Sequence, residues 1–159
     1  MNERVAIAPV CKTIRVEAPI EHAFDVFTTG LTRWWPYNYG VGKRPIEKVL
    51  MEPRLGGRWL EVAADGSETT VATIILWEPP HRLVMLWQVD ALWKPDAAMK
   101  SEVDVRFQAD GAGATIVELL HHKFETMGAE AGASLRKDVD GGWPGLLERF
   151  ANEAAPRHS

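Results

Sequence analysis

Polar and apolar residues alternate along most of the middle of the chain, which is the pattern of strands with one buried face. A first alternating run covers residues 10–17. Six further strand-like runs are separated by short segments rich in Gly, Pro and Asp, and they cover 45–52, 58–63, 69–77, 83–89, 101–109 and 115–123. Because a parallel crossover needs roughly a dozen residues, these short connections predict an antiparallel meander.

Helical spacing replaces the alternation near both ends. Pro19 suits a first helical position, and the apolar residues after it predict a short helix to about residue 28, then a brief turn over 31–35. After about residue 131 one apolar stripe predicts a long helix and contains Leu135, Val139, Trp143, Leu146, Leu147 and Phe150. Pro144 lacks an N–H donor, so it predicts a kink near 140–144 or a helix that restarts there.

This order of elements predicts the α+β class. A curved antiparallel sheet of seven strands would wrap around the long C-terminal helix, with two short helices after the first strand, so that both apolar faces are buried. A length of 159 residues suits one domain over 1–159, with its core at about 10–153.

Composition narrows the choice of partners. The net charge is −4 and the chain has no basic block, which argues against nucleic-acid binding. Its N-terminal apolar stretch is too short for a signal peptide, and no stretch is long enough to span a membrane. Cys11 is the only cysteine, which excludes an internal disulfide and fits a reducing cytoplasm. We therefore expect a cytoplasmic monomer or homodimer that binds neither nucleic acid nor membrane.

Three consecutive predicted strands each carry a tryptophan: Trp59, Trp77 and Trp87. Their recurrence indicates one aromatic face of the sheet, which has to be buried against a helix, a ligand, or both. The face of Trp77 is ambiguous, because its strand has apolar residues on both sides.

The strand at 58–63 places a charged residue on each face. Alternation puts Trp59 with Glu61 on one face, and Arg58 on the other. A carboxylate inside the protein needs a partner or acquires a raised pKa. Glu61 is therefore either a working carboxylate in the interior or a rim residue that is solvated or paired with an arginine.

His121 and His122 are adjacent in a strand, so their side chains point to opposite faces and cannot easily chelate one metal. No cysteine or further histidine completes a zinc-like spacing, and we predict no metal and no cofactor. His121 shares its face with Leu119, which makes it a candidate internal polar anchor or acid–base group. The alternative is a core histidine that is hydrogen-bonded to a neighbour.

The strand at 101–109 has the clearest alternation. Its core face includes Val105 and Phe107, while its other face includes Glu102, Asp104 and Arg106. We interpret this charged set as a solvated outer face.

An aromatic segment follows the short helices, and it contains Trp34, Trp35, Tyr37 and Tyr39. It is interpreted either as a lid or stacking wall for a ligand, or as an aromatic plug of the core, the second being favoured for Trp35. The long connection 90–100 carries Leu92 and Trp93, which could cover another side or form a dimer contact.

Several motifs in the same order resemble one known family. They are Glu52–Glu61 (EPRLGGRWLE), Trp77–Val84 leading to Trp87–Gln88, Ser101–Phe107, Thr115–His121, and Gly142–Trp143 with Leu146, Leu147 and Phe150. Together they resemble the START-related (SRPBCC) domains, in the Aha-type group of chaperone-ATPase activators. The resemblance implies the helix-grip fold with a cavity between sheet and helix, and it implies that Trp59, Glu61 and His121 face inward.

The first functional hypothesis is non-catalytic binding of a small, mainly apolar, lipophilic molecule in that cavity. Its expected ligand-binding residues are Trp35, Trp59, Glu61, Trp87, Phe107, Leu119, His121 and Trp143.

Two alternatives belong to other classes. One is a protein-interaction module of the chaperone-regulator type, although the better-known activators carry an additional N-terminal domain. The other is a cyclase-, aromatase- or hydrolase-like enzyme that uses His121 and Glu61, which requires the two side chains to converge.

Overall fold

Seven antiparallel strands form one sheet in the computed structural model, which describes residues 7–36 and 46–156. The strands are β1 (Val10–Val16), β2 (Ile46–Met51), β3 (Arg58–Ala63), β4 (Glu68–Glu78), β5 (Arg82–Trp87), β6 (Ser101–Ala109) and β7 (Thr115–His122). Their order across the sheet is β1-β7-β6-β5-β4-β3-β2. The predicted meander from β2 to β7 is confirmed, and β1 returns to pair with β7.

In the described part of the chain, a short 3₁₀ helix (Phe124–Met127) and three α-helices complete the fold: α1 (Ile20–Phe27), α2 (Leu31–Trp34) and α3 (Ala129–Ala154). Helix α1 buries Phe24 and Phe27, while α3 buries the predicted apolar stripe against the sheet. The expected helix-grip arrangement, a sheet gripping its last helix with two short helices after β1, is confirmed. No helix in the described ranges is long and apolar enough to cross a membrane.

Helix α3 continues through Pro144, so the predicted restart near 140–144 is wrong. Proline removes one backbone hydrogen bond, the one to the carbonyl of Asp140. Pro144 itself is exposed, whereas Trp143 and Leu147 on either side of it are buried. Packing of the apolar stripe therefore supports the helix across the missing bond.

A β-bulge in β4 settles the facing of Trp77. The pairing with β5 passes from Ile74 to Leu76, so that Ile75 is left outside the regular register and is 41% exposed. Trp77 then pairs with Leu83, which is buried, and its ring lies 5.1 Å from that of Phe24. Trp77 therefore packs on the inner face, under α1.

The interpretation of the charged side of β6 as solvated is wrong for Asp104, which is only 5% exposed. Arg82 on β5 donates to its two carboxylate oxygens, from Nε at 3.1 Å and from Nη2 at 2.8 Å. Burial works to raise the pKa of Asp104, but hydrogen bonds from Arg82 and Arg106 outweigh it and lower that pKa. The aspartate is thus an ionised group held under a guanidinium.

Candidate functional site

Four indole rings meet between the inner face of the sheet and α3. Strands β3 and β5 contribute Trp59 and Trp87, α3 contributes Trp143, and Trp35 comes from the end of α2. The centroid distances are 4.5 Å for Trp35–Trp59, 5.3 Å for Trp59–Trp87, 5.9 Å for Trp87–Trp143 and 6.2 Å for Trp35–Trp143. These are edge-to-face contact distances, so each ring touches the next. We call this group the tryptophan cluster.

Trp35 is the member of the cluster nearest to solvent, at 7% exposure, while the other three are at most 1% exposed. Its backbone is extended, because it follows the last turn of α2. The neighbouring Trp34 is anchored by its Nε1, which donates to the carbonyl of Val26 at 2.8 Å. Trp35 is thus the outermost member of the tryptophan cluster, and each ring of the cluster is in contact with others. Tyr37 and Tyr39 lie outside the described residues.

His121 lies beside the cluster and is fully buried. The indole Nε1 of Trp143 donates to Nδ1 of His121 at 3.2 Å, and Nε2 of His121 lies 3.1 Å from Oγ of Ser101. An indole nitrogen can only donate, so Nδ1 carries no proton and the neutral ring carries its proton on Nε2. The chain of donors therefore runs from α3 through β7 to β6 and ties the helix to the sheet.

Burial lowers the pKa of His121 from 6.5 to about 3, with a smaller contribution from the charge of the adjacent His122. At neutral pH the imidazole is therefore uncharged. Its Nε2 donates to Ser101, so it is not available to take a proton from that hydroxyl. In a catalytic nucleophile–base pair the hydroxyl donates to an unprotonated ring nitrogen. Here the ring nitrogen of His121 donates and the hydroxyl of Ser101 accepts.

Glu61 is buried, at 3% exposure, on the strand face it shares with Trp59, and it has an interaction partner. It lies in β3, opposite Val49 and Thr69, and three strands separate β3 from β7. At about 4.8 Å per strand spacing, Glu61 and His121 are on the order of 19 Å apart along the sheet. The structure does not bring them together as an acid–base pair.

The other two predicted site residues, Phe107 and Leu119, also lie in the core. Phe107 contacts the rings of Phe24 and Phe27, at 5.1 Å and 5.8 Å, and so packs beneath α1. Leu119 is buried and pairs with Val105 across the sheet. Of the eight predicted residues, the structure therefore groups five: Trp35, Trp59, Trp87, Trp143 and His121.

Ser101 is the site residue that sequence reasoning missed. It is fully buried and continues the inner face of β6, two residues before Val103. That alternation was the available signal, because it places a hydroxyl on the core side of the strand next to His121. Within the described ranges, no group of three His, Cys, Asp or Glu side chains could hold a metal ion.

This sheet and helix define a START-related domain of the helix-grip type. The profile of the family described as "Activator of Hsp90 ATPase homolog 1-like protein" matches residues 17–155, and the chain belongs to this family. No curated protein shows a significant match.

Solved structures give closer comparisons. An anthrahydroquino-γ-pyrone synthase, Txn09, complexed with SUM, is 39% identical over 92% of this chain and 97% of its own, with a TM-score of 0.65. The self-sacrificing resistance protein CalC from Micromonospora echinospora is 31% identical over 92% of this chain and 93% of its own, with a TM-score of 0.67. An AHSA1-like protein from Aeromonas hydrophila shares the fold. It is 21% identical over 94% of this chain and 98% of its own, with a TM-score of 0.57.

Proposed function

We propose that this protein binds a small, mainly apolar aromatic molecule between the sheet and α3, without catalysing a reaction on it. The observation that carries the proposal is the tryptophan cluster, which crosses this layer and comes nearest to solvent at Trp35. A 39% identical relative solved as a complex, and named for an aromatic product, supports the choice of an aromatic ligand.

Trp35 is the ring whose displacement disturbs the fold least, because α2 is a single turn and Trp35 belongs to neither the sheet nor α3. A ligand would replace it against Trp59 and Trp143. An aromatic side chain buries roughly 150–250 Å², worth about 4–6 kcal/mol at the usual coefficient. Burial of a two-ring ligand would therefore only offset the burial free energy that the expelled indole loses. Binding then gains free energy only from a larger ligand, so the site favours three or more fused rings.

Isothermal titration with anthraquinone, together with native mass spectrometry of the purified protein, tests the proposal. Replacing Trp35→Ala removes the competing ring, and we expect anthraquinone to bind at least about tenfold more tightly. Trp93→Ala, which removes a half-exposed indole elsewhere, is the matched control and should leave the affinity unchanged. The proposal is wrong if neither the wild-type protein nor Trp35→Ala binds anthraquinone and no ligand is retained.

A second candidate is ring-closing catalysis, because the 39% identical relative is named a synthase. An ortho-hydroxyphenyl β-diketone is a simple probe: its phenol oxygen adds to the distal carbonyl, water leaves, and a fused γ-pyrone forms without an oxidant. The donor chain through His121 offers no free base. We therefore expect the folded protein to close the ring no faster than heat-unfolded protein does, when pyrone formation is followed by absorbance. A clear acceleration would favour this candidate over plain binding.

A role in protein interaction stays a prediction. The large apolar side chains exposed in the described ranges are Leu55, Ile75, Leu92 and Trp93. Leu55 and Ile75 lie in segments that are hydrogen-bonded through Gly56 and Ile74, while Leu92 and Trp93 are adjacent in sequence. Each pair is small beside the roughly 800 Å² per partner that a standard interface buries. Ligand binding is therefore the function we prefer.

A further inference from the structure

Five of the seven indole N–H groups of this protein fall into two sets. Three of them donate to acceptors within the chain, namely those of Trp34, Trp93 and Trp143. The Nε1 atoms of Trp59 and Trp87 are buried and have no acceptor among the described residues. These two orphaned donors belong to adjacent members of the tryptophan cluster.

Leaving such donors unpaired is costly. A buried polar group without a partner costs about 1–3 kcal/mol, and roughly nine in ten such groups in native proteins are partnered. Phenylalanine would supply most of the same aromatic packing without a donor. Two unpaired indoles in contact, with centroids 5.3 Å apart, would therefore be stabilised by an acceptor from outside the described residues.

The obvious acceptor nearby is already used. The ring of His121 lies 5.6 Å from that of Trp87, but its Nδ1 accepts from Trp143 and its Nε2 carries the proton. The rings packed against those of Trp59 and Trp87 are neutral, so a carboxylate placed among them would be a buried anion without a counter-charge there. A neutral oxygen acceptor fits this environment.

We propose that Trp59 and Trp87 donate their indole N–H groups to carbonyl oxygen on a planar aromatic ligand. The class of ligand is then an aromatic ketone or quinone rather than a plain hydrocarbon of the same shape. This rests on the proposed binding function and adds the polar contact that orients the ligand, since a hydrophobic layer alone does not distinguish the two classes.

Anthraquinone and anthracene form a matched pair, because they share the three-ring frame and only the first has carbonyl groups. With one to two hydrogen bonds gained, we expect the wild-type protein to bind anthraquinone about tenfold to a hundredfold more tightly in isothermal titration. In the double variant Trp59→Phe/Trp87→Phe the two ligands should bind equally, with anthracene affinity close to that of the wild type.

The possible outcomes separate the two proposals. If the wild-type protein binds both ligands equally, the carbonyl contact is wrong while ligand binding stands. If neither the wild-type protein nor Trp35→Ala binds either ligand and no ligand is retained, the proposed function itself fails. An NMR titration of protein carrying isotope-labelled tryptophan needs no variant. The indole proton signals of Trp59 and Trp87 should move downfield with anthraquinone and not with anthracene, and unmoved signals would show that water or nothing is the acceptor.

Discussion

Lowering the pH from about 7 to about 4 is expected to remove about 3 kcal/mol from the free energy of unfolding through His121 alone. Burial holds the pKa of this histidine at about 3, against 6.5 for an exposed one. Between these two values the unfolded state binds a proton that the folded state does not. Stability is therefore fully present above about pH 6.5 and falls as the pH drops toward 3.

The surroundings of His121 explain why it resists protonation. Its ring is packed against Trp87, Phe124 and Trp143, and its hydrogen-bond partners are Ser101 and Trp143. None of these groups is a carboxylate that could stabilise an imidazolium. Protonation of Nδ1 would also set an N–H against the indole N–H that now donates to it.

His121→Gln tests this assignment, because a glutamine amide can still accept from Trp143 and donate to Ser101. Urea unfolding at a series of pH values should show that the free energy of unfolding of the variant falls less between about pH 7 and pH 4 than that of the wild type, because the contribution of His121 is gone. His22→Gln, which changes an exposed histidine on α1, should keep the wild-type pH profile. If His121→Gln loses stability with acid as steeply as the wild type, another group is responsible.

Trp143→Ala is expected to lower the free energy of unfolding by about 3–5 kcal/mol, the range for truncating a large buried aromatic side chain. The substitution removes ring contacts to Trp35 and Trp87 and leaves Nδ1 of His121 without its donor. Trp143→Phe keeps most of the packing and should cost about 1–3 kcal/mol, mainly for the unpaired nitrogen.

Trp93→Ala is the matched control for this series, because Trp93 also donates its indole N–H to another side chain, Asp138 on α3, but at the surface. We expect it to cost less than about 1 kcal/mol. Chemical denaturation of the three variants gives the comparison. A loss of about 3–5 kcal/mol is expected for Trp143→Ala. If instead its free energy of unfolding lies within about 1 kcal/mol of that of Trp93→Ala, the tryptophan cluster does not hold α3 to the sheet.

The elements of this fold were predictable because periodicity records which face of a strand or helix is buried. Alternation in β6 and the stripe on α3 correctly identified Phe107 and Trp143 as inward residues, whereas in β3 alternation left the face open and the family resemblance placed Trp59 inward. The bulge at Ile75 was not predictable in the same way. One extra residue reverses the faces that follow it, and its position depends on pairing with β5 rather than on β4 itself.

The polar contacts of the site were harder to predict than its rings. Asp104 alternates like a solvated residue, and its burial depends on the placement of Arg82 on the neighbouring strand. His121 and Glu61 both pointed inward as expected, yet the order of strands separates them. Local patterns determine the face of a side chain, whereas the distance between two side chains depends on the whole topology.

The pairing of β1 with β7 has a consequence for how the chain folds. Strands β2 to β7 each join a neighbour in sequence, but β1 pairs Val10 with His121, which lies 111 residues further along the chain. Closing so long a loop costs more conformational entropy than closing a hairpin, and such non-local pairing slows folding. The meander can therefore assemble first, with the N-terminal strand added along β7 late, after the hairpins have formed the edge on which it docks.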